Sequence, residues 1–276
     1  MNNSTLFYNH LFLGDLYGFG HCKGEQPFAP TGNRSLFNLP ESLPLLEIAT
    51  IVNQNSSILI VAPHPDDETL GCGGAIALLR QLNVLVSVAV VSDGTKSHPN
   101  SLTYPPPALK KLREQESLAA LAILGVAPET VTFLGMPDGE IQIARESAKA
   151  IASITQYLNK LAPSIIFLPW RKDPHPDHRA SWQLFTVASE NLINPPRIIE
   201  YPIWDWDTEQ RGDFADSINA WRLDITKALQ LKQQAIAQYR SQISDLINDD
   251  PAGFRLTPQM LQNFTQPWEI YLEVKS

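Results

Sequence analysis

Two short segments rich in histidine and aspartate lie more than 100 residues apart in this chain of 276 residues. Residues 64–68 read His-Pro-Asp-Asp-Glu, and residues 173–178 read Asp-Pro-His-Pro-Asp-His. Imidazole and carboxylate groups without a thiolate suit zinc or a similar first-row ion. A catalytic zinc takes three protein ligands and keeps one position for water. A further carboxylate must then take the proton of that water, and the two segments together offer all of these groups.

Either segment alone also has an ordinary structural interpretation. A histidine after a strand is often a turn or core residue, and an Asp-Asp-Glu run that opens a helix often serves as a cap or dipole partner. The metal site is favoured because two such segments each follow a predicted strand.

Buried strands and helices alternate from residue 57 onward. Short apolar runs predict strands at 57–61, 84–91, 130–134, 164–168 and 197–201. Helices are predicted between and after them at 74–82, 108–124, 144–161 and 178–192. Near-continuous apolar strands that alternate with helices indicate a parallel sheet covered on both faces. We therefore predict an α/β fold, a Rossmann-like three-layer sandwich with a mostly parallel twisted sheet.

The two polar segments follow the first and the fourth of these strands. If the strand order is 3-2-1-4-5, those two strands are neighbours at the point where the order reverses. Open α/β sheets bind ligands in the crevice at that point. We therefore expect both segments to face one crevice.

The ends of the chain are less regular. Residues 1–55 interleave Gly, Pro and Asn with aromatic residues, which predicts an irregular extension packed on the body, with a helix near 44–52. Residues 56–276 are expected to form a single domain. Apolar positions between 224 and 246 repeat at helical spacing and predict one covering helix. Residues 269–274 alternate as in an edge strand.

Composition excludes several classes of protein. The net charge is −8 and the pI is about 5.2, and no cluster of Lys and Arg is present, so a nucleic-acid partner is not expected. No apolar run approaches the roughly 18–20 residues of a membrane span, and no targeting segment stands out. Two cysteines, Cys22 and Cys72, make neither a disulfide framework nor a four-thiolate zinc site, which favours a cytoplasmic location.

Several motifs together resemble those of the PIG-L/LmbE-like family of zinc-dependent N-acetylglucosaminyl deacetylases. The resemblance starts from His-Pro-Asp-Asp-Glu at 64–68 and His-Pro-Asp-His at 175–178. It extends to Ser-Asp-Gly at 92–94, Arg-Glu-Gln-Glu at 113–116 and Pro-Asp-Gly-Glu at 137–140. It covers about residues 57–203, with a looser similarity at 232–242.

The resemblance implies a role for each matching residue. His64, Asp67 and His178 are implied as ligands of Zn²⁺, with Fe²⁺ or another divalent first-row ion as the alternative. Asp66 is implied as the general base that activates water. His175 is implied to stabilise the oxyanion, with Asp177 orienting it.

Other implied roles concern the substrate. Arg113, Asp138 and Asp93 resemble positions that contact sugar hydroxyls. Ordinary alternatives exist, because Arg113 could form an ion pair on its own helix and Pro-Asp-Gly is a common turn sequence. The chain also departs from the family at Tyr239, where a histidine is often found.

The family resemblance implies hydrolysis of a linear amide. The expected substrate is a small molecule or glycoconjugate that bears an N-acetyl amino sugar, and the products are acetate and a free amine. The family resemblance is also compatible with a homo-oligomer, and the sequence leaves the number of subunits open.

Three other functions compete with this one. A dinucleotide site at the glycines of 71–74 is disfavoured, because the third glycine of the fingerprint falls at Ile76 and the run comes about ten residues after the strand. A phosphoesterase or another amidase would use similar groups, although phosphoesterases often need two metals. A non-catalytic carbohydrate-binding member of the fold is the third alternative.

Overall fold

The fold is an α/β sandwich, and the computed structural model describes residues 40–53, 55–144, 147–204 and 218–274 of it. The strands are β1 (Leu45–Leu46), β2 (Ser57–Ala62), β3 (Leu85–Ser92), β4 (Val131–Met136), β5 (Ile165–Pro169), β6 (Arg197–Tyr201), β7 (Ile218–Asp224) and β8 (Trp268–Val274). The helices are α1 (Asp67–Gln81), α2 (Pro106–Ile123), α3 (Ile141–Ala144), α4 (Ala148–Leu161), α5 (Pro176–Glu190), α6 (Leu229–Ile236), α7 (Arg240–Ile243) and α8 (Pro258–Gln262). None of the helices within these ranges has the length and apolar character needed to cross a bilayer.

One sheet runs through the described residues in the order β1-β7-β8-β6-β5-β2-β3-β4. All neighbouring strands are parallel except that β8 runs antiparallel to both β6 and β7. The order of the five central parallel strands, β4-β3-β2-β5-β6, confirms the predicted 3-2-1-4-5 arrangement. It places the carboxyl ends of β2 and β5 side by side, with Ile60 opposite Phe167 in the register.

The central strands are apolar on both faces because helices cover both. Ile58 and Ile60 of β2 belong to a core shared with α1, α2 and α6, whereas Leu59 and Val61 belong to a second core shared with α4 and α5. Successive side chains of a strand point to opposite faces, so a continuous apolar run fills two cores at once. The predicted three-layer fold is therefore confirmed.

Helix α1 begins at Asp67, seven residues before the predicted start. Its first turn carries Asp67 and Glu68, which suit the positive end of the helix dipole. Glycine occupies two positions of this helix because neighbouring side chains lie too close for a larger residue. A Cβ on Gly71 would lie 2.3 Å from the ring of Tyr201, and one on Gly74 would lie 2.5 Å from Ile225.

The prediction of one helix over 224–246 was wrong. Residues 218–224 are strand β7, and the helical region after it divides into α6 and α7. The break comes at Tyr239, whose ψ of 56° lies outside the helical range. Its side chain points into the interior and makes hydrogen bonds there, as described below.

Two further expectations at the sheet edge need correction. Strand β8 is present, but it is not an edge strand, because it lies between β6 and β7. Strand β7, its second neighbour, was not predicted from the sequence. The expected helix near 44–52 is instead β1, paired with β7, followed by a 3₁₀ turn at Ile48–Thr50. Residues 1–39 lie outside the described residues, so the packing of the extension stays a prediction there.

A buried ion pair ties β8 to the middle of α1. The Lys232 ammonium lies 2.8 Å from Oε1 of Glu269, and both side chains are about 2% exposed. The same carboxylate accepts the backbone N–H groups of Gly74 and Ala75 at 2.7 and 2.8 Å. The Tyr271 hydroxyl donates to its other oxygen at 2.8 Å. Every charge and donor at this carboxylate is therefore matched inside the core.

Replacement of this carboxylate should destabilise the fold strongly. Glu269→Ala would leave a buried ammonium and two helix N–H groups without their acceptor, and we expect a loss of about 3–5 kcal/mol in the free energy of unfolding. Urea unfolding measures it. Glu273→Ala, on the same strand but paired at the surface with Arg197, is the control and should cost less than about 1 kcal/mol. Equal losses in both variants would contradict the assignment.

Candidate metal and active site

The two polar segments meet at the carboxyl edge of the sheet. Residues 63–66 connect β2 to α1, and residues 170–175 connect β5 to α5. Pro176 occupies the first turn of α5, where a missing N–H costs nothing. His175 caps this helix, since its Nδ1 accepts the backbone N–H of Asp177 at 3.2 Å.

Three side-chain atoms from these segments form a nearly equilateral triangle. Oδ2 of Asp67 lies 3.2 Å from Nδ1 of His64 and 3.2 Å from Nε2 of His178, and the two nitrogens are 3.3 Å apart. A tetrahedral zinc with ligand bonds of about 2.0–2.1 Å separates its ligand atoms by about 3.3–3.4 Å. The donor set and its spacing therefore fit three corners of such a tetrahedron.

Each histidine of this triangle has a carboxylate near its other ring nitrogen. Nε2 of His64 lies 3.3 Å from Oδ1 of Asp138 and 3.5 Å from Oδ2 of Asp177. Nδ1 of His178 lies 3.3 Å from Oδ1 of Asp173, and both of these side chains are fully buried. Carboxylates in this position orient metal-binding histidines and raise their basicity.

The charges of the cluster shift its pKa values in opposite directions. Burial alone would raise the pKa of Asp67, but the His178 and His64 rings outweigh it and hold that pKa well below its usual range. Burial alone would lower the pKa of His178, but Asp173 and Asp67 raise it to about 9. The carboxylates thus favour a positive charge at this point, which a divalent cation can supply in place of protons.

Asp66 lies beside the triangle in an unusual backbone conformation. Its φ of 130° and ψ of −29° are rarely adopted by a residue with a side chain, which is the kind of strain found at functional sites. Its Oδ2 lies 3.1 Å from Nη2 of Arg113. Burial raises the pKa of Asp66 to about 8, and the Arg113 guanidinium opposes that rise.

The His175 ring completes the group. Its centroid lies 4.8 Å from that of His64 and 4.9 Å from that of His178. Because Nδ1 accepts a backbone N–H, the proton of the neutral ring must be on Nε2. Burial and the neighbouring rings lower the pKa of His175 to about 3, so the ring is neutral and Nε2 is a donor.

The remaining predicted residues lie around this group, mostly in contact with protein. Arg113 is buried and donates to the carbonyls of Pro65 and Gly94 at 2.6 and 3.0 Å, in addition to its contact with Asp66. Asp93 accepts from Thr95 at 2.9–3.2 Å and from the Asp138 N–H at 3.3 Å.

Asp138 and Asp177 both face His64. Oδ2 of Asp138 accepts the Lys96 N–H at 2.8 Å, while its other oxygen faces His64. Oδ2 of Asp177 accepts the Gly139 N–H at 2.7 Å and lies on the His64 side of the cluster. The hydrogen bond from Asp177 to the His175 ring comes from its backbone N–H.

Comparison with known proteins matches the same part of the chain. The family model described as PIG-L, GlcNAc-PI de-N-acetylase, matches residues 59–189. Residues 59–189 are therefore similar to the PIG-L family. The match includes both His/Asp segments, residues 64–68 and 173–178, and confirms the family predicted from them.

Relatives of known name support the same family. The diacetylchitobiose deacetylase of Thermococcus kodakarensis is 31% identical over 131 residues, which are 46% of this chain and 46% of that protein. The probable N-acetyl-alpha-D-glucosaminyl L-malate deacetylase 2 of Bacillus subtilis is 27% identical over 199 residues, 70% of this chain and 86% of that protein. The chain therefore spans about half the length of the first relative and most of the second.

A solved structure shows the same fold. The conserved protein TT1542 from Thermus thermophilus matches with a TM-score of 0.53 and 28% identity, covering 68% of this chain and 80% of that one.

The departure from the family pattern at Tyr239 has a structural counterpart. The tyrosine is buried, and its hydroxyl donates to Oε1 of Glu68 and lies 2.9 Å from the Thr69 hydroxyl. Oε2 of Glu68 accepts the backbone N–H of Asp66 at 3.1 Å. Tyr239 is thus connected, through Glu68, to the backbone of Asp66.

Sequence reasoning assigned no role to Asp173. Asp173 is the first residue of the second segment. The feature of the sequence that could have indicated its role is its position three residues before the start of helix α5. One oxygen faces His178 and accepts the His175 N–H at 2.9 Å, and the other accepts the N–H groups of Ile203 and Trp204 at 3.2 and 3.0 Å. Its role depends on the end of β6, which no local pattern reveals.

Removal of the Tyr239 hydroxyl should destabilise the fold. In Tyr239→Phe, the buried Glu68 carboxylate loses a donor, and we expect a loss of about 1–3 kcal/mol in the free energy of unfolding, measured by urea denaturation. Tyr104→Phe is the matched control, since the Tyr104 hydroxyl makes no hydrogen bond within the described residues, and its stability should change by less than about 0.5 kcal/mol. No difference between the two variants would show that the Glu68 contact is unimportant.

Proposed function

We propose that this chain is a zinc-dependent hydrolase that removes the N-acetyl group from an N-acetylglucosaminyl-type substrate. The observation that carries the proposal is the triangle of His64, Asp67 and His178, whose atoms lie 3.2–3.3 Å apart beside a buried carboxylate and a neutral imidazole. The names of the relatives, two deacetylases of acetylated amino sugars, support the same reaction.

His64, Asp67 and His178 would hold the metal. Zinc supplies Lewis acidity and lowers the pKa of water when it is bound at such a site. Fe²⁺ or another divalent first-row ion is the alternative, because imidazole and carboxylate ligands bind these ions as well as zinc. Asp173 and Asp138 would keep the two histidines in the orientation that presents the ligand nitrogens.

Asp66 is the proposed general base. Its carboxylate takes a proton from the water whose oxygen adds to the amide carbon. A base works best when its pKa lies near the working pH, and burial moves the pKa of Asp66 from the acidic range towards neutrality. Arg113 holds this carboxylate from the side and is proposed as a positioning residue for it, in addition to the sugar contact implied by the family.

His175 is the proposed partner of the oxygen and of the leaving group. Its Nε2–H donates to the amide oxygen as negative charge develops there, which is the role of an oxyanion hole. As the C–N bond breaks, the proton that Asp66 took from water is delivered through His175 to the amine nitrogen, so that acetate and a free amine result. Asp177 supports His175 through its backbone N–H, which fixes the proton of the ring on Nε2.

The substrate contacts are proposed more broadly. A small molecule or glycoconjugate with an N-acetyl amino sugar fits the relatives, and Asp93 and Asp138 remain the predicted contacts for its hydroxyl groups. A homo-oligomeric state and a cytoplasmic location also stay predictions.

Acetate release should depend on metal. Zinc-loaded protein is expected to release acetate from at least one compound in a panel of N-acetylglucosaminyl substrates, and a chelator should abolish the release until zinc is restored. Acetate is measured by a coupled assay. Hydrolysis of phosphate esters but of no amide would replace this proposal with the phosphoesterase alternative, and binding without any hydrolysis would favour the non-catalytic one.

Two substitutions should separate the base from the metal ligands. Asp66→Asn is expected to keep its zinc and to lose about 10²–10⁴-fold in kcat, because only proton transfer is removed. His178→Ala is expected to lose both the metal and the activity. Zinc content is read by elemental analysis of the purified proteins, and kcat by acetate release. An Asp66→Asn variant with wild-type kcat would exclude Asp66 as the base.

A further inference from the structure

One peptide group beside the proposed general base is held at both ends by buried side chains. In the peptide that joins Pro65 to Asp66, the Asp66 N–H donates to Oε2 of Glu68 at 3.1 Å, and the Pro65 carbonyl accepts from Nη2 of Arg113 at 2.6 Å. Glu68 and Arg113 are both buried. The N–H and C=O of a trans peptide point in opposite directions, so the two side chains fix its plane from opposite sides.

The orientation of this peptide sets the φ angle of Asp66. Its value of 130° lies far from the left-handed region at about 60°. On the other side of Asp66 the chain is already part of the first turn of α1, because the Asp66 carbonyl accepts the N–H groups of Thr69 and Leu70 at 3.0 and 2.9 Å. If the preceding peptide rotated to relieve the strain, both of its hydrogen bonds to side chains would be lost.

Glu68 is itself held by Tyr239, which lies 171 residues further along the chain. The Tyr239 hydroxyl donates to Oε1 of Glu68, so the Thr69 hydroxyl is the donor in its 2.9 Å contact with the tyrosine oxygen. All three side chains are buried, and the backbone leaves the helical conformation at Tyr239, between α6 and α7. The hydrogen bonds therefore run between two places where the backbone conformation is unusual.

The stability of the fold does not explain an acidic residue at position 68. Both Glu68 oxygens accept from neutral donors, the Asp66 N–H and the Tyr239 hydroxyl. The charge with the largest effect on Glu68 is that of Asp67, which has the same sign. Burial of such a group is costly, and an apolar side chain of similar volume would avoid the cost. The contact with the Asp66 backbone is what an apolar side chain could not provide.

We propose that Glu68 and Tyr239 are positioning residues for the general base: Glu68 fixes the peptide that directs the Asp66 carboxylate, and Tyr239 fixes Glu68. The proposal rests on the function proposed above, in which Asp66 takes the proton of the water. The metal ligand Asp67 has supports of its own, since its Oδ2 accepts the His64 N–H at 2.9 Å and its N–H donates to the His64 carbonyl at 3.3 Å. Loss of the Glu68 contact should therefore affect the base and spare the metal.

The first test replaces Glu68 in the zinc-loaded protein. Glu68→Leu removes the acceptor of the Asp66 N–H and should lower kcat by about 10- to 100-fold, because small misplacements of a reacting group are costly, while KM stays within about threefold and zinc content is unchanged. Glu68→Gln is the conservative variant. Its amide oxygen can accept the Asp66 N–H while its NH₂ group donates to the Tyr239 oxygen, so kcat should stay within about threefold of wild type.

Two further variants separate positioning from a general loss of stability. Tyr239→Phe keeps Glu68 but frees its Oε1, and kcat should fall by about three- to tenfold. Glu269→Gln is the matched control, since this buried carboxylate accepts N–H groups of α1 at Gly74 and Ala75, away from Asp66. Its kcat and KM should stay within about twofold of wild type although its stability falls.

A double variant tests whether Glu68 acts through the base. In the Asp66→Asn background, Glu68→Leu should change the residual kcat by less than about twofold, because the group that it positions is already inactive. Wild-type kcat in Glu68→Leu, or a further loss of about tenfold in the Asp66→Asn background, would overturn the proposal. If Glu68→Leu does not fold, Tyr239→Phe replaces it in these comparisons, and a wild-type kcat there would overturn the proposal in the same way.

Crystal structures of the variants keep the test independent of turnover. In Glu68→Leu the φ of Asp66 should move away from 130°, whereas in Glu68→Gln it should stay there. If wild type releases no acetate from any substrate but this difference in φ is seen, the reaction is wrong and the positioning of Asp66 by Glu68 stands. An unchanged φ of Asp66 in Glu68→Leu would overturn the positioning whatever the activity.

Discussion

A single carboxylate oxygen organises this molecule. Oδ2 of Asp67 lies within 3.2 Å of nitrogens on His64 and His178, two residues 114 positions apart in the chain. Three polar atoms can be held this close inside a protein only when the backbones that carry them are fixed by the core. The pairing of β2 with β5 provides that, because it brings the ends of both strands to the same edge of the sheet.

The surroundings of this oxygen are unusually acidic for a buried region. Four further aspartates are next to the triangle in space or in the chain, and each is at least nine-tenths buried: Asp66, Asp138, Asp173 and Asp177. Isolated buried carboxylates are costly, so the region needs compensating positive charge. Arg113 gives part of it, protonated imidazoles can give more, and a divalent cation would give the rest while holding the same geometry.

The centre of the fold could be predicted from the sequence because its strands are buried on both faces. Their apolar runs are continuous, and the order 3-2-1-4-5 is considered because it makes the two strands that precede the polar segments neighbours at the switch point. The last third could not be predicted in this way. The sequence of β7 alternates weakly, and the region around Tyr239 has helical spacing although its side chain is drawn into a hydrogen bond with Glu68.

The same division holds for the site. Motif residues such as His64 and His178 are visible because their types and spacing are rare. The position of Asp173 depends on contacts with the distant end of β6, which leave no local pattern. The strained backbone of Asp66 is equally invisible in a sequence, since an Asp after a proline is compatible with many turns.

The carboxylate of Glu269 has a consequence for the order in which this protein assembles. It binds the N–H group of Ala75, 194 residues earlier, in the helix that starts at the metal-type segment. Its strand also fills the space between β6 and β7, so the sheet is not continuous until residues 268–274 have left the ribosome. Pairing over such distances is slow and comes late. Helix α1, which begins at Asp67, therefore gains this anchor only after strand β8 has been synthesised.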